Sequence, residues 1–172
     1  MDEDRATGAV RPEVVLTCGI AGAGKTTYAK ALEAAGYVRL SVDEEIWRRF
    51  GRFGVDYQPE QYAEHTEVAT ESVRQQLLEL IAQGRDVVID LAFWQWSSRA
   101  DYTELVERAG ARRRLVYLQA DEALLRRRLR ARAERFDANA AFPITDELLD
   151  HYLRVFEPPA GEGEHVILVN DE

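Results

Sequence analysis

A glycine-rich segment near the N-terminus has the residue types and the spacing that bind phosphate. It runs from Gly19 to Thr27, matches the pattern GxxxxGKT, and stands between an apolar run and a helical pattern. In this context the backbone N–H groups of the loop and of the helix N-terminus form a concave anion site. The lysine reaches the β- and γ-phosphates, and the first threonine can bind Mg²⁺. The segment therefore predicts a site for a nucleoside triphosphate.

The use of lysine in this chain supports that interpretation. Of the 22 basic residues, only Lys25 and Lys30 are lysines and the others are arginines. A cradle of backbone N–H groups admits a compact ammonium, whereas a planar guanidinium would not fit the same space. A dinucleotide loop of the form GxGxxG is a weaker alternative, because Thr27 stands where its third glycine is needed. The predicted ATP-binding residues of the loop are Gly19, Ile20, Ala21, Gly22, Ala23, Gly24, Lys25, Thr26 and Thr27.

Two aspartates follow predicted strands and could serve catalysis and metal binding. Asp43 comes after the apolar run 37–40, and Asp90 ends the apolar run 86–90. Ligands of open α/β sheets bind beyond the carboxyl ends of the strands, so both carboxylates are expected there. We expect Asp43 to contact the acceptor and take its hydroxyl proton, and Asp90 with Thr26 to hold Mg²⁺. The structural alternatives are a residue of the first helical turn for Asp43 and a turn cap for Asp90.

An arginine-rich segment from 126 to 135 could supply positive charge over the phosphates. Helical spacing places Arg128, Arg132 and Arg135 on one face. Guanidinium groups that close over the γ-phosphate stabilise the charge that develops during transfer. We expect Arg128 and Arg132 to bind ATP from a lid at 126–143, and the alternative is a solvated helix face. The predicted catalytic residues are Asp43, Lys25, Arg128 and Arg132.

An aromatic cluster follows Asp90 at a turn on the ligand side of the predicted sheet. Its members Trp94 and Trp96, with Arg99, are candidates for the wall of a substrate site. Core packing is the alternative for the two indole rings.

The elements that position these residues alternate between strand and helix patterns. This alternation predicts a three-layer α/β domain with a parallel sheet. Gly36, Gly84 and Gly110 are expected to end helices, and Ser41 and Thr145 to begin them. The predicted strands are 14–18, 37–40, 86–90, 114–118 and 165–169. The predicted helices lie near 24–35, 43–50, 59–83, 97–109, 121–136 and 145–157.

Length and composition predict one soluble domain that spans residues 1–172. Residues 1–12 are expected to form a flexible N-terminus without a signal peptide, and no apolar run approaches the ~20 residues of a membrane helix. The net charge of −9 argues against non-specific binding to nucleic acid or to anionic membranes. Cys18 is the single cysteine, which excludes an intrachain disulfide. We therefore expect a cytoplasmic protein.

The chain resembles the small P-loop kinases often labelled as AAA-type ATP-binding proteins. That group is similar to chloramphenicol phosphotransferase, zeta toxin, gluconate kinase and the 5′-kinase domain of polynucleotide kinase. The resemblance implies a P-loop NTPase fold of the kinase type with strand order 2-3-1-4-5 and a helical lid. It also implies that Asp43 contacts the acceptor hydroxyl and that Arg128 and Arg132 embrace ATP. It rests on Gly19 to Thr27, 41–43, 84–90, Arg99, Leu125, Arg128, Arg132 and 156–159.

The resemblance breaks down after the third predicted strand. Members of the group commonly have a small polar run there, whereas this chain has Asp90-Leu91-Ala92-Phe93-Trp94. The substrate side is therefore not transferable from those kinases.

Three functions are consistent with these residues. The leading hypothesis is an Mg·ATP-dependent phosphotransferase that acts on a hydroxyl of a small molecule, such as a sugar, an antibiotic or a metabolite. The alternative enzyme is a kinase of 5′-hydroxyl nucleic acids or nucleotides, which the net charge disfavours. From another class, the chain could be a nucleotide-binding regulator or a partner-dependent ATPase.

Overall fold

The sheet of this protein has five parallel strands in the order β2-β3-β1-β4-β5. The structure is a computed structural model that describes residues 10–135, 137–140 and 142–171. Strand β1 lies in the middle of the sheet and pairs with β3 on one side and with β4 on the other. The strands are β1 (Glu13–Cys18), β2 (Val38–Ser41), β3 (Val87–Asp90), β4 (Arg112–Ala120) and β5 (His165–Val169).

In the described part of the chain, six α-helices connect and cover these strands. Short 3-10 turns at Pro59–Gln61 and Ala138–Ala140 precede the third and the sixth helix. Within the described ranges, no helix has the length and apolar character needed to cross a membrane. The helices are α1 (Lys25–Ala34), α2 (Val42–Phe50), α3 (Tyr62–Ala82), α4 (Trp96–Arg108), α5 (Glu122–Arg132) and α6 (Asp146–Val155).

The core lies on both faces of the sheet, because successive side chains of a strand point in opposite directions. Val14 and Leu16 are buried in a cluster with residues of α2, α3 and α4. Val15 is buried on the other face with Ala29 of α1. Strands buried on both faces need continuous apolar runs, which is what β1 and β3 have. The sheet is therefore the middle of three layers.

The predicted architecture and strand order are confirmed. Each of the five predicted strands is present, and β4 is longer than predicted because it pairs with both β1 and β5. Ser41 and Thr145 accept hydrogen bonds from the backbone N–H groups of Glu44 and Leu148, so both begin helices as predicted. Gly36, Gly84 and Gly110 follow α1, α3 and α4, and each of these glycines has a positive φ angle.

The helix predicted for 121–136 ends at Arg132, and the chain then turns so that the Arg135 guanidinium contacts the Asp137 carboxylate two residues later. Of the N-terminal segment expected to be flexible, residues 1–9 lie outside the described residues. The carbonyl of Pro12 accepts a hydrogen bond from the Arg112 N–H group at 2.8 Å.

Candidate active site

A cleft of about 910 Å³ opens at the carboxyl ends of the strands, and the whole loop from Gly19 to Thr27 lines it. Gly19 has φ +156, and a Cβ atom there would meet the Leu118 carbonyl oxygen at 2.8 Å. Gly24 begins α1 in the left-handed region, with φ +98. Glycine takes these conformations without strain, and Gly19 lets the loop lie close to β4. The predicted phosphate loop has the expected place between β1 and α1.

Lys25 stands at the first position of α1 and lines the cleft. Its Nζ donates a hydrogen bond to the Ile20 carbonyl oxygen at 3.0 Å. Burial lowers the pKa of the Lys25 ammonium to about 8, although the nearby Asp90 carboxylate acts in the opposite direction. Because the ammonium group is shielded from water, its electrostatic attraction to phosphate oxygens is stronger than it would be in solvent.

Asp43 lies in the first turn of α2, where the Ser41 cap fixes the direction of the helix. Its side chain is open to the cleft that the phosphate loop lines. Desolvation raises the pKa of the Asp43 carboxyl, while the charge of Arg132 acts to lower it. A carboxylate with a raised pKa is a better proton acceptor than an ordinary one.

Asp90 ends β3 and also lines the cleft, and it is 9% exposed. One of its oxygens accepts a hydrogen bond from Arg39 at 3.0 Å. The Arg39 side chain, itself 5% exposed, also forms ion pairs with Glu44 and Glu33. We did not predict Arg39 from the sequence, although its place on β2, the neighbour of β3, was a usable signal.

The cleft has few side chains that could hold a metal ion. Thr26 and Asp90 both line it. Among the residues that the structure describes, no three His, Cys, Asp or Glu side chains converge on one point. Such a site fits Mg²⁺ better than Zn²⁺, because Mg²⁺ takes one or two protein ligands and completes its shell with phosphate and water oxygens.

The arginines of α5 divide into two groups. Arg128 and Arg132, which are expected to bind ATP, both line the cleft, and Arg128 donates a hydrogen bond to the Gly22 carbonyl oxygen at 3.3 Å. The Arg132 guanidinium makes no hydrogen bond or salt bridge to any described residue, and its charge acts on Asp43. The other group forms ion pairs on the surface: Arg126 with Glu122, Asp146 and Asp150, Arg127 with Asp171, and Arg130 with Asp146.

The structure separates the three residues proposed as a wall after β3. Trp94 lines the cleft, but Trp96 is 58% exposed and stands outside its described lining. Arg99 is 1% exposed and forms an ion pair with Glu162 at 2.9 Å. The expectation that Arg99 contacts substrate is therefore corrected, because its guanidinium is directed into the protein.

Arg99 instead holds the turn that follows Asp90. It donates a hydrogen bond to the Phe93 carbonyl oxygen at 2.8 Å. Phe93 has φ +46, which is a strained conformation for a bulky residue. The Phe93 ring is buried edge-to-face against Tyr102, and Gly19 N–H donates to the Ala92 carbonyl oxygen. These contacts tie the turn to the phosphate loop.

A second group of aromatic residues, which the sequence analysis missed, surrounds Asp43. A small pocket brings Asp43 together with Trp47, Phe53, Tyr62 and Phe142. The Tyr62 and Phe142 rings stack at 4.6 Å, and the Phe53 ring meets Phe142 at 5.2 Å. Helical spacing alone does not show that residues from 47–62 and from 142 meet.

Comparison with known proteins agrees with this geometry. A family model described as an AAA domain (AAA_33) matches residues 14–159. The match includes the phosphate loop, both aspartates and the arginines of α5. The chain belongs to this family.

Solved structures share the fold at low sequence identity. A protein from Chloroflexus aurantiacus, named provisionally as a kinase, has a TM-score of 0.73 and 19% identity over 94% of this chain and 86% of that chain. A gluconokinase from Sinorhizobium meliloti has a TM-score of 0.60 and 22% identity over 95% and 86%. A chain of the Pnkp1/Rnl/Hen1 RNA repair complex has a TM-score of 0.63 and 20% identity over 90% and 49%. These matches show a P-loop kinase fold.

Proposed function

We propose that this member of the AAA domain family is an ATP-dependent kinase that transfers the γ-phosphate to a hydroxyl of a small molecule. One observation carries the proposal: the phosphate loop and Asp43 line the same cleft. Its volume of about 910 Å³ is within the range of ligand sites. The cleft therefore has room for a nucleotide and a small acceptor molecule. Asp43 lies where it can take the proton of that molecule's hydroxyl.

The chain's own residues supply the groups that phosphoryl transfer requires. Asp43 accepts the proton of the acceptor hydroxyl as its oxygen attacks the γ-phosphorus. Lys25, Arg128 and Arg132 stabilise the negative charge on the phosphate oxygens. The nucleotide contacts come from the nine residues from Gly19 to Thr27, which line the cleft together.

In this proposal Thr26 and Asp90 hold Mg²⁺. The ion, when bound, neutralises charge on the β- and γ-phosphate oxygens. Arg39 keeps one Asp90 oxygen occupied and so fixes the orientation of the carboxylate, which leaves the other oxygen for the ion or its water. A side chain with a fixed orientation loses less entropy when it binds a ligand.

A kinase of 5′-hydroxyl nucleic acids is the second candidate, and the likeness to a chain of an RNA repair complex favours it. Such an enzyme needs a basic track that neutralises several backbone phosphates. Here the outward arginines of α5 are already paired with carboxylates. The Asp43 carboxylate on the acceptor side would repel a phosphodiester. We therefore favour a small-molecule acceptor.

Transfer of label from γ-labelled ATP tests the proposal. The protein is incubated with Mg²⁺ and with separate pools of small alcohols, nucleosides and 5′-hydroxyl oligonucleotides. We expect label on a member of the small-alcohol pool. Efficient labelling of oligonucleotides, at a rate that falls steeply with salt, would support the second candidate. Label found only in inorganic phosphate would indicate an ATPase or a regulator.

A further inference from the structure

We propose that the acceptor carries its hydroxyl on a short arm attached to an aromatic ring, and that this ring binds in an aromatic chamber beside Asp43. The larger apolar side chains that line the chamber are Trp47, Phe53, Val55, Leu129, Phe142 and Ile144. The inference rests on the proposed kinase function and names the class of acceptor.

The rings of the chamber come from two segments that are far apart in the chain. Trp47 and Phe53 belong to α2 and the loop that follows, and Phe142 belongs to the segment before α6. Phe142 stacks on Tyr62 with an interplanar angle of 22° and meets Phe53 at 71°. The three rings that line the chamber, Trp47, Phe53 and Phe142, are only partly buried. They therefore offer faces and edges to a ligand as well as to each other, and aromatic rings pair favourably in both geometries.

The size of the chamber fits a single ring system. Its volume is about 270 Å³. An apolar cavity of about 150 Å³ already holds benzene in another protein. The chamber therefore has room for one ring and a short substituent, whereas a polymeric ligand would have to extend beyond it.

The chamber lies beside the groups proposed to carry out transfer. It shares four lining residues with the large cleft: Arg132, Arg135, Phe142 and Ile144. Trp47, Phe53 and Phe142 also line the small pocket that contains Asp43. A ring bound there directs a short arm toward Asp43. The hydroxyl oxygen of the arm forms a bond to the γ-phosphorus, the bond from that phosphorus to the β–γ bridging oxygen breaks, Asp43 takes the hydroxyl proton, and ADP leaves.

The polar groups of the chamber are poorly suited to a sugar. Of the three arginines that line the chamber, Arg52 is paired with Asp56, Arg135 is paired with Asp137, and Arg132 is the cation assigned above to the phosphates. A polyol would bring several hydroxyls against ring faces and methyl groups, where a hydroxyl without a hydrogen bond is unfavourable. An aryl alcohol needs only one polar partner, which Asp43 provides.

Competing acceptors test the inference. Transfer from γ-labelled ATP is measured with benzyl alcohol, 2-phenylethanol and 3-phenylpropanol, and with glycerol, D-glucose and D-gluconate. We expect kcat/KM to be at least tenfold higher for the best aryl alcohol than for any polyol. Equal use of the two classes, or labelling of polyols alone with dependence on Asp43, would overturn the inference and leave the kinase function intact. Label only in inorganic phosphate would overturn both.

A matched pair of variants distinguishes a binding chamber from simple packing. Phe142→Ala removes a ring of the chamber, and Trp96→Ala removes an exposed ring outside the cleft lining. We expect Phe142→Ala to raise the KM for the aryl alcohol about tenfold with the KM for ATP unchanged, and Trp96→Ala to change neither. Equal loss for both substrates, or none for the alcohol, would show that Phe142 has only a structural role. Phe53→Ala gives an independent repeat if the first variant is unstable.

Discussion

The nucleotide side of the cleft takes nine consecutive residues from one loop, whereas the acceptor side takes its rings from segments that are far apart in the chain. Gly19 to Thr27 are fixed by glycine conformations and by the buried strand β1 that precedes the loop. Trp47, Phe53 and Phe142 are partly buried and meet only in the folded protein. A local sequence motif is therefore enough to bind the triphosphate, which is the constant ligand. The site for the acceptor, which is the variable ligand, is assembled by tertiary structure.

The largest effect is expected for Asp43→Asn, which changes the acceptor side and leaves the phosphate loop intact. The amide keeps the shape of the side chain but cannot take a proton, so we expect transfer to fall by about 10² to 10⁴. The affinity for ATP, measured by calorimetry, should stay near that of the parent, because the phosphate contacts come from the loop. Transfer at the parental rate would leave Asp43 as no more than a residue of the first turn of α2.

The next largest effect is expected on the nucleotide side, for Lys25→Ala. Loss of a charge-assisted contact should cost about 1.5 to 3 kcal/mol, or roughly tenfold to a hundredfold in ATP affinity. Thermal unfolding without nucleotide should change little, since Lys25 lines the cleft. Arg108→Ala, an exposed substitution on α4, is the control. An unchanged affinity in Lys25→Ala would contradict the assignment of the loop.

The two groups of arginines on α5 can be compared within one helix, because Arg132 lines the cleft and Arg130 is exposed. Arg132→Ala should lower kcat/KM for ATP by about 1 to 2 kcal/mol, a factor of roughly 5 to 30, because Arg132 faces the cleft. Arg130→Ala should have no such effect, since its side chain is 71% exposed and its partner is Asp146. If the two variants behave alike, the helix is a solvated face and not a lid.

The smallest effect is expected at Glu45, which lies in α2, the helix that carries Asp43 and Trp47. Burial acts to raise the pKa of Glu45, but hydrogen bonds from Arg48, Arg49 and Ser72 lower it to about 2. A carboxyl whose pKa is depressed in the folded state stabilises above its unfolded pKa, and this stabilisation is lost as the pH falls from about 4.5 toward 2.

Glu45→Gln should therefore reduce the free energy of unfolding by about 1 kcal/mol at pH 7 and by less at pH 3, because two of the three partners are exposed arginines. Urea unfolding at the two pH values measures it, with Glu67→Gln on the exposed part of α3 as the control. An equal loss at both pH values would mean that the glutamate acts through packing and not through its charge.

Much of the fold could be predicted from the sequence because its signals are local. Apolar runs, glycines with positive φ, and capping side chains at Ser41 and Thr145 each act within a few residues. The end of α5 at Arg132 was harder to predict, since no glycine or proline marks it in the sequence.

The site could be predicted only where one motif defines it. The phosphate loop was predicted residue by residue. Arg99 was misplaced because its partner, Glu162, lies 63 residues away, and spacing does not show which way a guanidinium points. Phe142 was missed for the same reason, since its neighbours Phe53 and Tyr62 lie far before it in the chain.

Hydrogen exchange followed by mass spectrometry tests the division of the cleft most directly. The protein is compared without nucleotide and with Mg²⁺ and the non-hydrolysable ATP analogue AMPPNP. We predict slower exchange in 19–27 and 122–135, because the loop amides donate to phosphates and the lid closes over them, and unchanged exchange in 46–62. Slower exchange in 46–62 without any change in 19–27 would contradict the account.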